Sequence, residues 1–168
     1  MNNIKIRKFE KKDAKEFHEI YSNPNVTKTM GSGRVWEFTV EQAEIYIERT
    51  NEAWNTQGYG IFAIEKIDTR KVIGMCGFMP FRKTDVELLY SIGEPYWGNG
   101  YTFEACEAAL SFAKQHYDWK NLYAYAYPEN VASIRIMQKL GFEFVAAQEH
   151  YGIDMPVYEL DFEAYTVF

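Results

Sequence analysis

The stretch from Glu87 to Phe103, ELLYSIGEPYWGNGYTF, carries the residues of this chain best suited to chemistry. It reads as a strand ending at Ile92, a tight turn through Pro95, and a helix beginning near Gly100. Gly98, Asn99 and Gly100 then present successive backbone N–H groups at a helix N-terminus. The first amides of a helix lack intrahelical partners and lie at the positive end of its dipole, so they attract an anion such as a pyrophosphate. Glycine has no Cβ and lets the anion reach the backbone. Alone, a Gly-x-Gly before a helix also describes a plain turn and cap. A dinucleotide fingerprint would need a third glycine where Phe103 stands and a parallel βαβ array from the first strand, and the sequence has neither.

Support comes from a second segment. Tyr96–Ala105, YWGNGYTFEA, is followed by Pro128–Phe142, PENVASIRIMQKLGF. Together they resemble the GNAT N-acetyltransferases, in the branch that includes the ribosomal-protein N-terminal acetyltransferases. That branch is worded W-G-x-G-Y-x-x-E-A and P-E-N-x-x-S-x-R-x-x-x-K-L-G-F, and commonly has a glutamate where Glu87 stands. The resemblance covers nearly the whole chain in element order and is specific from Glu87 to Phe142. It implies acetyl-CoA as co-substrate and no metal. Backbone amides of Gly98, Asn99, Gly100, Tyr101 and Thr102 are then expected to hold the pyrophosphate. Backbone groups of Tyr90, Ser91 and Ile92 are expected beside the pantetheine arm, which acts as an added strand. Asn130 is expected to bond the pantetheine amides, Ser133 to sit near the sulfur, and Trp97 and Tyr101 to flank the loop. The chain departs from the pattern at Pro95, where the wider family often has Gln or Arg. It departs again at Thr102-Phe103, where the branch has Ala-Thr; losing that hydroxyl predicts altered CoA affinity.

Acetyl transfer to an amine needs a neutral amine, a thioester held beside it, donors for the developing oxyanion and a stabilised thiolate. Under the resemblance, Glu87 is the base, directly or through water, or else a counter-ion for the amine. Ser133 supports the thiolate, or only helps the helix start. Backbone N–H near Leu89 or Tyr90 faces the oxyanion. Asn130 is also the N-cap that its type predicts. The function expected is direct transfer to a primary amine on a protein N-terminus, a polyamine or an aminoglycoside-like molecule. A CoA-binding sensor without turnover is the alternative.

Several elements must position these residues. Asn3 to Phe9 alternates as a strand, and Asp13 can cap a helix that carries Ala14, Phe17, Ile20 and Tyr21 and stops at Asn23-Pro24-Asn25. Thr39 to Gln42 fits a capping box. Ile61 to Ile67, Lys71 to Met79 and Val86 to Ile92 read as an antiparallel meander, because their connections are too short for parallel crossovers. A helix with a small stripe, Ala105, Ala109, Phe112 and Ala113, follows. Then come a strand over Asn121 to Tyr127, a helix ended by Gly141, and strands over Phe142 to Ala147 and Val157 to Phe162. The fold class expected is α+β (mixed α/β), with a central, mostly antiparallel twisted sheet of about seven strands flanked by four helices, in a single domain over 1–168.

Composition bounds the rest. Aromatics make up 17% of 168 residues. Tyr90, Tyr96, Trp97, Tyr101, Tyr123, Tyr125 and Tyr127 are expected in or beside the cofactor cleft. Pro24 to Phe38 and His150 to Pro156 are expected to shape the acceptor groove, with Trp36, Phe38 and Tyr151. Tyr123, Tyr125 and Tyr127 share a strand face, as packing or as a tyrosine acid. The net charge of −6 disfavours a nucleic-acid partner and suits a cationic acceptor. Lys5, Arg7, Lys8, Lys11, Lys12 and Lys15 make a basic start, read as a solvated face or a patch for a CoA phosphate. Cys76 and Cys106 form no CxxC, and His18, His116 and His150 no HExxH. No leader pattern and no apolar run of ~20 residues is present, so a soluble, cytoplasmic protein is expected, without membrane contact. A homodimer through the exposed aromatic edge fits the pattern.

Overall fold

Strand β1 (Ile4–Arg7) is followed by helices α1 (Ala14–Tyr21), α2 (Pro24–Thr27) and α3 (Val40–Thr56). The meander β2 (Ile61–Lys66), β3 (Val72–Pro80) and β4 (Val86–Ile92) comes next. Helix α4 (Tyr101–His116), β5 (Asn121–Tyr125), α5 (Val131–Lys139), β6 (Glu143–His150) and β7 (Ile153–Asp161) complete the order. This computed structural model describes residues 3–33 and 39–167, so Trp36 and Phe38 lie outside the described residues. The seven strands form one sheet in the order β1-β2-β3-β4-β5-β7-β6. Every neighbouring pair is antiparallel except β4–β5, which is parallel.

The mixed α+β reading holds, with one added helix. The proline that stops α1 also starts α2. Asn23 Oδ1 accepts the Asn25 N–H at 2.9 Å and Pro24 takes the first helical position, where its missing N–H costs nothing. The last two strands run longer than the sequence pattern suggests. Tyr151 and Gly152 both have positive φ, 55° and 76°, and make a two-residue hairpin turn. Pairing therefore continues to His150 and Ile153 at the turn itself.

Strand alternation sends side chains to two apolar clusters. Phe62, Ile64, Val86, Leu88 and Leu122 join α4 and α5 on one face, while Ile61, Ala63 and Met75 join α1 and α3 on the other. Ala105, Ala109 and Ala113 are fully buried, which lets α4 lie close against the sheet. Among the described residues, no helix is long and apolar enough to cross a membrane.

Five of the six cations of the basic start are engaged in place. Arg7 makes a bidentate pair with buried Asp13, at 2.7 and 2.9 Å, and its Nε donates to Glu65 at 2.5 Å. Lys5 reaches Glu65 at 2.9 Å, Lys11 reaches Glu44 at 3.1 Å, and Lys12 reaches Glu10 at 2.7 Å. Lys8 lies over the Trp54 ring. Burial pushes the Glu65 carboxyl up, but hydrogen bonds from Arg7 and Lys5 outweigh it and hold it below the usual range. That contribution is present above the unfolded pKa and is lost as pH falls through the lower folded one. Removing Arg7 leaves two buried carboxylates without it. Arg7→Ala should cost about 3 kcal/mol or more in urea unfolding. A loss under about 1 kcal/mol, the worth of an exposed pair, would contradict the role given to Arg7.

Candidate functional site

β3 pairs with β4 over its full length, from Val86 to Ile92. On the other edge of β4, the register with β5 rests on the single pair Glu87–Tyr123. β5 itself is paired residue by residue with β7, from Asn121 to Tyr125. Past Glu87 the two strands part, and a cavity of about 730 Å³ opens between them. Its lining includes Glu87 through Ile92, Trp97, Gly98, Thr102, Tyr125 through Tyr127, Asn130 and Ser133.

The cavity runs through the sheet. Along β4, Leu88 and Ile92 pack in the α4–α5 cluster with Tyr90 against it, while Leu89 packs against the α1–α3 cluster. The Ser91 hydroxyl reaches Met30 Sδ on that second side, at 3.3 Å. Glu87 shares its face with its ladder partners Met79 and Tyr123. Glu87 is thus on the α1–α3 side and Ser133, on α5, is on the other.

The loop before α4 is built from backbone. Gly98 and Gly100 sit at φ 76° and 79°, a left-handed conformation that favours glycine, and a Cβ on either would meet open space. Trp97 Nε1 donates to Ile92 O at 2.9 Å and pins the loop to the end of β4. Asn99 Nδ2 folds back onto the carbonyls of Tyr96 and Trp97, at 3.1 and 2.9 Å. Gly100, the N-cap of α4, has no side chain to cap it, and the first turn closes with Glu104 N–H donating to Gly100 O at 3.1 Å. The preceding amides therefore point out of the helix end. Phe103 does not cap either: its ring lies under the Lys139 ammonium at 3.8 Å and ties α4 to α5. Gly98 and Thr102 reach the cavity lining, whereas Asn99, Gly100 and Tyr101 lie off it; Tyr101 opens α4 and packs against the α4–α5 cluster.

Burial pushes the Glu87 carboxyl up to about 7. Beside it, burial and then the negative charge of Glu87 push the Tyr125 hydroxyl up. The Tyr125 ring is stacked flat on His150, at 4.1 Å and 5°, and its hydroxyl meets that of Tyr151. The Tyr127 hydroxyl donates to Gly31 O at 3.0 Å, which fixes the segment after α2 over the cavity. Tyr123 turns to Glu159 and Phe81 instead, and neither it nor Tyr96 lines the cavity.

On the α5 side, Asn130 is the N-cap: its Oδ1 accepts the Ser133 N–H at 3.2 Å, and its Nδ2 donates to Thr29 Oγ1 at 3.3 Å. The Tyr90 hydroxyl donates to Ser133 O at 2.9 Å and lies 2.9 Å from Ser133 Oγ. A carbonyl can only accept, so the Tyr90 proton serves it and the Ser133 hydroxyl completes the pair as donor. Cys76 and Cys106 are buried, and burial pushes both thiols up, away from nucleophilic use. Thr29, Met30 and Gly31, from the Pro24 to Phe38 stretch expected on the acceptor side, also line the cavity, as does Met79, which carries no sequence signal. Glu94, which accepts from Asn23 at 2.6 Å and Asn25 at 2.9 Å to join α2 to the loop, was equally silent. Difference infrared titration against Glu87→Gln should show the Glu87 carboxyl ionising near pH 7. A midpoint in the ordinary carboxylate range, at about 4.3, would contradict its burial.

Residues 3–143 match a family model described as the acetyltransferase (GNAT) domain. The chain is 30% identical over 143 residues to the uncharacterized N-acetyltransferase p20 of Bacillus licheniformis, covering 83% of this chain and 79% of that one. An acetyltransferase of the GNAT family from Bacillus anthracis superposes with a TM-score of 0.80 at 26% identity, over 96% of each chain. RimL, a ribosomal-protein alpha-N-acetyltransferase solved in complex with coenzyme A, shares the fold at a TM-score of 0.83 and 14% identity, over 98% of this chain and 97% of that one.

Proposed function

The chain belongs to the GNAT acetyltransferase family, and from that premise we propose that it moves the acetyl group of acetyl-CoA directly onto a primary amine, of a protein N-terminus or a small molecule. Residues 1–168 act as one catalytic domain. The observation that carries this reading is the parting of β4 from β5, with an uncapped helix end at one end of the gap and a half-buried carboxylate across it.

The residues present fit the co-substrate. Amides from Gly98 to Thr102 suit a pyrophosphate, and the open space at the two glycines leaves them reachable. The edge of β4 from Tyr90 to Ile92, unladdered toward β5, suits the amides of a pantetheine arm. The Asn130 amide keeps a second N–H beyond the one given to Thr29. Bound acetyl-CoA supplies the activated acyl group.

Glu87 then removes the proton from the attacking amine, directly or through water, from the α1–α3 side. A carboxylate ionising near 7 is matched to that task. Backbone N–H near Leu89 or Tyr90 faces the developing oxyanion. Ser133, on the opposite side, turns its proton from Tyr90 to the departing sulfur. The amine thus arrives on one face of the sheet and the thiolate leaves on the other. No step requires a metal.

Thiol release from acetyl-CoA with a panel of amines and N-terminal peptides tests the reading. Glu87→Gln should lower kcat by about 100-fold or more with KM little changed. A raised KM with kcat preserved would make Glu87 a counter-ion instead. In the wild type, kcat/KM should fall below about pH 7 as Glu87 takes up a proton, and the variant should lose that limb. Ser133→Ala should lower kcat by roughly tenfold, the cost of about one hydrogen bond to the leaving group. Undiminished kcat would remove its role. Firm CoA binding with no thiol released by any amine would make the protein a sensor.

A further inference from the structure

The cavity around Glu87 has neutral walls. Among the described lining residues the charged ones are Lys28, Glu87 and Glu129. Lys28 and Glu129 are exposed at the rim and opposite in sign, so they offset each other, while Glu87 sits within. On the face of Glu87 the wall is thioether and aromatic: Met79 is its ladder partner on β3, and Tyr125, Tyr151 and Met155 continue the surface. The Tyr125 ring cannot swing away, because His150 is stacked flat behind it. The nearby Arg82 lies over Phe81 and Tyr123, at 4.9 and 5.2 Å, off the lining.

This arrangement has room for one buried positive charge. A second cation on the acceptor would leave water and find no second carboxylate within, among the described lining residues, which is costly. An apolar group next to the amine would instead meet ring faces and methionine side chains, and the ammonium itself is attracted to tyrosine rings before it gives up its proton. We propose that the acceptor is a primary monoamine bearing an apolar, aromatic group close to its nitrogen, and that polyamines and aminoglycosides are excluded. This selectivity rests on the transferase reading above and sharpens it.

The test uses the whole protein with acetyl-CoA and follows thiol release with 2-phenylethylamine, a peptide with an N-terminal phenylalanine, spermidine and kanamycin. At least one of the two aromatic amines should exceed spermidine and kanamycin by at least about tenfold in kcat/KM, the scale of discrimination that apolar contacts provide. The better of the two aromatic acceptors identifies the amine as a free metabolite or a chain end. Spermidine or kanamycin equal to or above both would overturn the selectivity and leave the transferase intact. Acetyl-CoA bound with no thiol from any of the four would overturn the transferase reading and this one with it. Met79→Glu, which sets a second carboxylate beside Glu87 at an exposed position, should raise kcat/KM for spermidine by about fivefold or more. A folded variant with spermidine activity unchanged would also count against the neutral wall as the source of selectivity.

Discussion

A strand inside a sheet has two edges of N–H and C=O groups to satisfy, and β4 satisfies only one of them throughout. Its pairing with β3 is complete, while its pairing with β5 is registered at Glu87 and Tyr123. β5 is not free to follow β4, because each of its residues is committed to β7 on the other side. The parallel direction also demands a long crossover, which α4 supplies. The two strands of the single parallel contact, β4 and β5, are therefore each held by an antiparallel neighbour on the far side, β3 and β7. The gap, the loop at its end and the helix that begins there all follow from that arrangement.

Two glutamates show how position in this frame decides chemistry. Glu65 and Glu87 both lie on central strands with much of their surface removed from water. Arg7 and Lys5 hold Glu65 ionised, and it serves to join β1 and β2 to the turn before α1. At Glu87 burial moves the carboxyl the other way, up to about 7. The first is spent on the fold; the second is left able to gain and lose a proton near neutrality. Around it the supports are indirect but specific: Trp97 fixes the loop, Glu94 fixes α2, and Glu104 accepts the amides of Asn3 and Ile4 and ties β1 to α4.

Local signals carried much of the fold. The Val86–Ile92 strand, the helix start at Gly100, the Thr39–Gln42 box and the Gly141 stop all depend on neighbouring residues alone, and the structure has them where the pattern puts them. α2 was hidden because Asn23-Pro24 reads first as a stop, and a single capped turn leaves no periodicity. The pattern understates β6, which is largely exposed, and the start of β7, exposed at Ile153 and Asp154, because exposure removes the apolar alternation that marks a strand. The site divides in the same way. The glycine loop, Glu87, Asn130 and Ser133 belong to motifs and could be placed. Thr29, Met30 and Met79 come into the cavity through sheet register and through the path of the segment after α2, which no spacing rule encodes. Period two places Tyr123 and Tyr125 on one face, but β5 ends at Tyr125, so Tyr127, expected beside them, lies past the strand; the different partners of the first two, Glu159 and His150, are set by β6 and β7 from far along the chain.

Acetyl-CoA seated on the free edge of β4 and the uncapped start of α4 would shield the amides there, and amide hydrogen exchange with and without acetyl-CoA reads that shielding. Binding should slow exchange at residues 89–92 and 98–103 and leave β1 and β2 unchanged. Binding that leaves both segments exchanging at their free rates, or that protects a different edge of the sheet, would contradict it.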